Sequence, residues 1–212
     1  MHAALRPAAL ACLLAAPGVA QARDWRLEAS MSGRYGMIPD ALLDKLFDLH
    51  GSIRGLGPGV ELGWTRDGFH ALAVAELVMV TTPDQIWLEK DAKKVDAVWV
   101  ENDLRILSYG LIFGYEWRLV GPVSVMPAIG FVPVHLKGAL IQFPTDGGRD
   151  TPAEDRTKGD GAKGSPIRMP MNFNSSDLGL RIRVQPSERW FLSLDGGWRM
   201  MIYAGLTTGA AF

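Results

Sequence analysis

Residues 178–184 read Leu-Gly-Leu-Arg-Ile-Arg-Val, an alternation of large apolar residues with glycine and arginine. Successive side chains of a β-strand point to opposite faces of its sheet. The stretch therefore predicts a strand with one apolar face and one charged face. The same period of two predicts further strands at residues 25–32, 60–65, 69–80, 96–118, 123–138, 190–200 and 204–212. We expect an all-β, antiparallel chain.

The number of strands depends on how residues 96–118 are interpreted. The alternation changes phase near Leu107-Ser108, which indicates either a β-bulge within one strand or a hairpin turn between two. One bulged strand gives eight in total and sorts the connections onto two sides. The short turns are then Arg66–Gly68, Val120–Pro122 and Pro186–Glu188, and the opposite connections are 33–57, 81–95, 139–170 and the brief 201–203. We predict eight strands.

The N-terminal segment 1–22 has the features of a secretory signal peptide. Arg6 supplies positive charge, Ala8 to Ala16 form a short apolar core, and Ala20-Gln21-Ala22 offers small residues for cleavage. Cys12, the only cysteine, lies in that core and would be removed with it. We predict a domain at 23–212 that lacks thiol chemistry.

Composition excludes several classes of function. The formal net charge of −1 is typical neither of a nucleic-acid-binding protein nor of a strongly acidic one. No apolar stretch reaches the roughly 20 residues that a membrane-spanning helix requires. The histidines after residue 22 are not at metal-ligand spacing from one another, and no phosphate-binding glycine loop is present. We predict no metal, no cofactor and no nucleic-acid partner.

The chain resembles the small eight-stranded outer-membrane β-barrels of Gram-negative bacteria. The resemblance rests on Ala20-Gln21-Ala22, on the strand alternation and on the terminal strand ending in Phe212. It implies a transmembrane antiparallel up-and-down barrel in the outer membrane, monomeric or weakly associated. Its partners would be outer-membrane lipid and lipopolysaccharide, together with the barrel assembly machinery, which would read the strand ending in Phe212.

In this orientation the polar faces of the strands line the barrel interior. Eight strands enclose an interior that side chains just fill. The residues assigned to this inward face are Arg26, Glu28, Glu61, Glu76, Glu101, Asp103, Arg105, Arg181, Arg183, Asp195 and Arg199. Because unpaired charges in a narrow space are costly, we expect these residues to pair and close the lumen.

Three loops carry structure of their own. Leucines at helical spacing between Pro39 and His50 predict a short amphipathic helix in the first external loop, with Asp40 as its N-cap. Residues 143–170 are rich in Gly, Pro, Asp, Lys and Thr, which predicts a mobile external loop. The apolar patch Ile86-Trp87-Leu88 is expected either to pack on the barrel rim or to contact lipid.

We predict a structural or recognition role and assign no catalytic residue, and two alternatives remain open. His50 and Ser52, with Glu61 further along, resemble the His-x-Ser arrangement of lipid A 3-O-deacylases, which implies an acyl-ester hydrolase at the rim. If the apolar faces of the strands point into the barrel instead of outward, the chain is a soluble periplasmic carrier of a small apolar ligand.

Overall fold

A computed structural model describes residues 25–147, 151–166 and 172–212. The predicted signal peptide at 1–22 lies outside the described residues. Within them the chain forms fifteen β-strands, one four-residue helix α1 (Asp40–Leu43) and two short 3-10 segments, Lys94–Asp96 and Ala153–Asp155. The strands are β1 (Arg26–Met37), β2 (Phe47–Leu49), β3 (Arg54–Arg66), β4 (Phe69–Thr81), β5 (Gln85–Glu89), β6 (Val98–Asn102), β7 (Arg105–Tyr115), β8 (Trp117–Val120), β9 (Val123–Lys137), β10 (Leu140–Asp146), β11 (Thr157–Lys158), β12 (Ser165–Pro166), β13 (Asn172–Val184), β14 (Trp190–Arg199) and β15 (Met201–Ala211).

Eight of these strands close into a barrel. Their order is β13-β14-β15-β1-β3-β4-β7-β9, and β9 pairs back onto β13. Every neighbouring pair is antiparallel. The short strand β8 continues β7 alongside β9. The predicted eight-stranded antiparallel barrel is confirmed.

The predicted strand at residues 96–118 is corrected by the structure, because this stretch forms three strands in two different sheets. Strands β7 and β9 keep one register from Ser108 opposite Val134 to Leu111 opposite Phe131, so the expected bulge near Leu107-Ser108 is wrong. A register shift occurs instead between β8 and β9, at Arg118 and Val120. The apparent change of phase has two causes. Val98–Asn102 joins a separate sheet, and the apolar Ile106 of β7 points into the barrel interior, whereas Tyr109 and Leu111 point outward.

The turn between β3 and β4 is a two-residue hairpin. Arg66 pairs with Phe69, and the intervening Asp67 and Gly68 both have positive φ, at 51° and 82°. Two positive φ values are characteristic of the type I′ turn, whose twist matches that of the flanking strands. At the opposite end of the barrel, the predicted connection 201–203 is replaced by a tighter turn at Met200, with Arg199 opposite Met201.

The outer surface of the barrel is apolar over its middle. Large hydrophobic side chains there are 40 to 70% exposed, which is the inverse of a soluble fold. They include Leu27, Met31, Val60, Leu62, Leu77, Leu111, Phe113, Ile129, Phe131, Leu178, Leu180, Ile182, Leu192, Leu194 and Leu206. Exposed aromatic side chains cluster at the end with the short turns, namely Trp25, Trp64, Phe69, Tyr115, Trp190 and Phe212. An apolar band with an aromatic girdle is the exterior that a membrane-spanning barrel requires.

A second sheet, which we term the cap, is formed by the connections at the end of the barrel opposite the short turns. Its strand order is β11-β10-β6-β5-β2, and β12 pairs with β10. The prediction of a mobile loop at 143–170 is therefore wrong for the described residues of that segment. Its polar composition was misleading because β10 satisfies its backbone by pairing with β6, from Leu140 opposite Asn102 to Pro144 opposite Val98.

The helix expected in the first external loop is present but short. It covers only Asp40–Leu43, and Asp40 lies in its first turn while Pro39 occupies the N-cap position. Residues Phe47–Leu49 form strand β2 instead, paired with β5. Leu43 is buried, whereas Leu42 and Leu46 are exposed. Only part of the leucine stripe therefore packs against the protein.

The apolar patch Ile86-Trp87-Leu88 belongs to the cap and is buried. Ile86 and Leu88 pack with Ala97 and Ala153 in a small hydrophobic core. Packing, rather than contact with lipid, is the correct interpretation of this patch.

The lipid-facing band predicts a strong position dependence for an introduced charge. Leu111→Arg at mid-strand should destabilise the barrel by about 2–4 kcal/mol, because the guanidinium would be placed in hydrocarbon. Val95→Arg on the exposed cap should change stability by less than about 0.5 kcal/mol. Urea unfolding of both variants in lipid vesicles measures the difference. Equal stabilities would show that Leu111 faces water.

Candidate functional site: the barrel interior and its rim

The end of the lumen nearest the short turns contains a four-residue ionic cluster. His70 Nε2 lies 2.7 Å from Glu116 Oε2, and Arg183 makes two bonds to Glu28, of 2.7 and 3.0 Å. Arg183 also lies 3.6 Å from Glu116. The four residues come from β1, β4, β13 and the β7–β8 junction, so the cluster links strands that are not neighbours in the barrel.

A larger network fills the middle of the lumen around Arg34 of β1. The Arg34 guanidinium bonds both Glu61 and Glu76, the latter at 3.2 Å. Glu61 also accepts a 2.9 Å bond from Arg181, and Glu76 a 2.6 Å bond from Arg199. All five side chains are less than one-tenth exposed. Arg34 thus links two carboxylates that each have a second guanidinium partner.

Two aspartates extend this network along β13 and β14. Asp177 pairs with Arg199 and accepts a 3.1 Å hydrogen bond from the Tyr203 hydroxyl. Asp195 pairs with Arg181 and accepts a hydrogen bond from the Thr207 hydroxyl. In the described lumen, six carboxylates therefore face four guanidiniums and the imidazole of His70, and hydroxyl donors supplement the guanidiniums.

The opposite wall of the lumen is apolar. Leu72 and Val74 of β4 point inward and pack with Ile112, Met126 and Val132. This explains why Leu72 and Val74 fit the polar alternation of their strand poorly. Towards the cap, Ile106, Val134 and Met201 form a second buried cluster across the barrel. Charged and apolar side chains together occupy the space between the walls.

The sequence-based list of inward residues is correct for some members and wrong for others. Seven lie buried in the interior: Glu28, Glu61, Glu76, Arg181, Arg183, Asp195 and Arg199. Glu101 is instead on the cap, bonded to Lys158 at 2.6 Å. Asp103 and Arg105 are largely exposed, because β6 has left the barrel at this point and Arg105 begins β7 on its outer face. Arg26 lies at the mouth of the lumen.

Four interior groups escaped the sequence analysis: Arg34, His70, Glu116 and Asp177. Arg34 was missed because the predicted first strand ended at residue 32, whereas β1 continues to Met37. The sequence could have identified it, because residues with even numbers in this strand share one face, and Arg34 is therefore on the same face as Glu28. Parity with Arg181 likewise places Asp177 on the inner face of β13.

Of the candidate hydrolase residues, the structure places His50 beside the cap and Glu61 in the ionic network of the lumen. His50 lies beside the cap, with Nε2 3.0 Å from Asp44 Oδ1 and Nδ1 3.2 Å from the Gly51 carbonyl oxygen. Glu61 is seven residues into β3 from Arg54, which is about 23 Å along a strand. Its carboxylate bonds Arg34 and Arg181. Glu61 is therefore not placed to orient His50.

The outer surface of the barrel becomes polar near the cap. Arg105 and Lys137 are cross-strand partners on β7 and β9, and both are exposed, as is Arg54 at the corresponding end of β3. We call Arg54, Arg105 and Lys137 the rim cations. Below Lys137 on the same face, His135 Nε2 is 2.9 Å from the Tyr109 hydroxyl. A polar, basic collar thus lies directly above the apolar band.

Within residues 25–147, 151–166 and 172–212, no group of three or more His, Cys, Asp or Glu side chains is placed to hold a metal ion. Over the same residues, no helix is long and apolar enough to cross a membrane.

Comparison with known proteins gives structural likenesses only. No protein-family model and no curated protein matches the sequence. The structure is similar to neisserial surface protein A, with 12% identity, a TM-score of 0.42, and coverage of 90% of this chain and 97% of that one. It is also similar to the attachment invasion locus protein Ail of Yersinia pestis, with 9% identity, a TM-score of 0.45, and coverage of 90% and 100%. A second structure of Ail, in complex with the heparin analogue sucrose octasulfate, gives 8% identity, a TM-score of 0.43 and the same coverage.

The chain's own geometry defines its class. Eight antiparallel strands close without a free edge, the exterior is an apolar band with an aromatic girdle, and ion pairs lie inside. This is a transmembrane β-barrel of the outer-membrane type. The soluble carrier required an apolar interior and a polar exterior, and the exposed leucines and buried arginines are arranged the other way round.

The Arg34 network predicts a large cost for removing one guanidinium. Arg34→Ala should destabilise the folded barrel by about 3–5 kcal/mol, because Glu61 and Glu76 stay buried with less compensation. Glu101→Gln, which breaks the exposed pair with Lys158, should cost less than about 1 kcal/mol. Urea titration in detergent micelles compares the two variants. A cost for Arg34→Ala as small as that for Glu101→Gln would refute the account of the network.

Proposed function

We propose that this protein is a non-catalytic component of the bacterial outer membrane, in which a closed barrel displays the folded cap at the cell surface. The observation that supports this proposal is that side chains fill the interior of the barrel. Arg34, Arg181, Arg183 and Arg199 bond carboxylates of other strands, and the apolar cluster around Val132 lies on the opposite wall. An interior occupied in this way leaves no continuous water path for solutes. The barrel then serves as an anchor, and recognition falls to the cap and rim.

The route to this location is also part of the proposal. Residues 1–22 would direct export and be cleaved, and the barrel assembly machinery would read the terminal strand ending in Phe212. The support for the second step is that β15 pairs with β1 to close the barrel and that the Phe212 ring remains exposed. We propose that the mature protein works as a monomer.

A closed lumen predicts no channel activity. The purified protein in planar lipid bilayers should give no stable conductance steps, since ion pairs and apolar side chains block the passage. Arg34→Ser combined with Arg199→Ser removes two central side chains and should produce measurable leak currents. Large, stable unit conductance from the unmodified protein would contradict the proposal.

We propose that lipopolysaccharide is the lipid partner and that the rim cations contact its phosphate groups. Arg105 and Lys137 lie side by side on the outer face of the barrel, at the strand ends next to the cap, which we assign to the headgroup region of the outer leaflet. The nearest carboxylate to Arg105, that of Asp103, is 3.9 Å away and exposed, so it neutralises the guanidinium only weakly. Guanidinium and ammonium groups beside a lipid headgroup favour anionic lipid.

Replacing two rim cations should weaken this contact. Arg105→Ser with Lys137→Ser should lower the affinity for purified lipopolysaccharide in detergent by about tenfold, from the loss of two phosphate contacts. Lys93→Ser with Lys94→Ser removes the same charge from the tip of the cap and should have little effect. Dephosphorylated lipopolysaccharide should bind both variants alike. Equal losses from the two double variants would mean that net charge, and not the rim, determines binding.

A further inference from the structure

A recess of about 260 Å³ lies on the cap, away from the lumen and the rim. It is lined by Leu49, His50, Gln85, Ile86, Trp99, Glu154 and Arg156. The 3-10 segment Ala153–Asp155 packs against β5 of the cap sheet and forms one side of the recess. We call it the cap cleft. Its volume is slightly below the roughly 300–1,000 Å³ of drug-sized sites, which suits a ligand about the size of one sugar ring.

The floor of the cap cleft is apolar and rigidly held. Ile86 and Trp99 are cross-strand partners on β5 and β6, and Leu49 joins them from β2. The Trp99 Nε1 atom is buried without a hydrogen-bond partner, although the residue is partly exposed. Trp99 therefore offers carbon surface to the cleft and not its N–H group.

The edge of the cap cleft is polar and carries both positive and negative charge. Glu154 is exposed, Gln85 is partly exposed, and Arg156 is buried beside them. The His50 side chain is only 12% exposed and is held by its contact with Asp44. Carboxylate, amide and imidazole groups provide both donors and acceptors around one apolar floor. The opposite charges of Glu154 and Arg156 leave no excess charge of either sign.

We propose that the cap cleft binds a pyranose ring of an uncharged carbohydrate. Such a ring has one face of C–H groups and an edge of hydroxyl groups, so it matches an aromatic floor surrounded by donors and acceptors. The C–H face would lie on Trp99, and the hydroxyls would bond Glu154 and Gln85. A purely apolar ligand would leave the polar groups at the edge of the cleft without hydrogen-bond partners. A polyanion would be repelled by the Glu154 carboxylate.

This inference rests on the proposed display of the cap at the cell surface, because that placement exposes the cleft to glycans. Its test does not depend on that location. The purified barrel in a zwitterionic detergent is titrated with glucose, galactose, mannose and N-acetylglucosamine. Binding is monitored by saturation-transfer NMR and by tryptophan fluorescence. Alkyl maltoside detergents are avoided because their sugar headgroups would compete.

We expect saturable binding of at least one of these four sugars. Glu154→Gln should weaken it about tenfold, through the loss of a charged hydrogen-bond acceptor, and Trp99→Leu should abolish it while keeping an apolar side chain. Asp155→Asn changes the adjacent carboxylate of the same 3-10 segment, which does not line the cleft, and should leave binding unchanged. Retained gel-mobility change on heating shows that each variant is folded.

Absence of saturable binding by all four sugars would overturn the inference, as would equal weakening by Glu154→Gln and Asp155→Asn. Either result would leave the closed, surface-displaying barrel intact, because conductance and lipopolysaccharide binding report on that proposal separately.

Discussion

The rest of the structure depends on one constraint, which is that backbone N–H and C=O groups in hydrocarbon must bond to each other. An open sheet would leave two edges unpaired in lipid, at a cost of several kcal/mol for each group. Pairing of β9 with β13 and of β15 with β1 removes those edges. Once the barrel is closed, the period of two sends every second side chain into a narrow interior. The chain must then fill that interior with groups that satisfy one another.

The interior follows from this geometry. The charged wall is contributed mainly by β1, β3, β13 and β14, and the apolar wall by β4, β7 and β9. The four guanidiniums of the lumen are tolerated because each lies within reach of two carboxylates, as Arg34 does between Glu61 and Glu76. The interior therefore stabilises one arrangement of the strands. The same packed side chains that hold the strands in place account for the proposed lack of conductance.

The local sequence predicted the strand faces where every second side chain had to face lipid. Its alternation in 178–184 predicted the outward face correctly, because hydrocarbon accepts few polar side chains at mid-membrane. It failed at Val98–Asn102, since alternation looks the same in a cap sheet and in a barrel wall. It also failed at Arg34, where Gly33 interrupts the apolar face of β1 although the strand continues to Met37. The cap cleft was out of reach, because Trp99 and Glu154 are far apart in sequence and meet only through strand pairing and the fold of residues 151–156.

The central claim is that hydrocarbon contacts the outward side chains. It is tested most directly by nitroxide labels at Leu62→Cys, Leu111→Cys and Leu180→Cys in reconstituted vesicles, with Val95→Cys on the cap as reference. The sequence after residue 22 contains no other cysteine. The account predicts high accessibility of the three barrel labels to oxygen and low accessibility to a water-soluble nickel chelate, with the reverse at residue 95. Nickel accessibility at the barrel positions equal to that at residue 95 would contradict it.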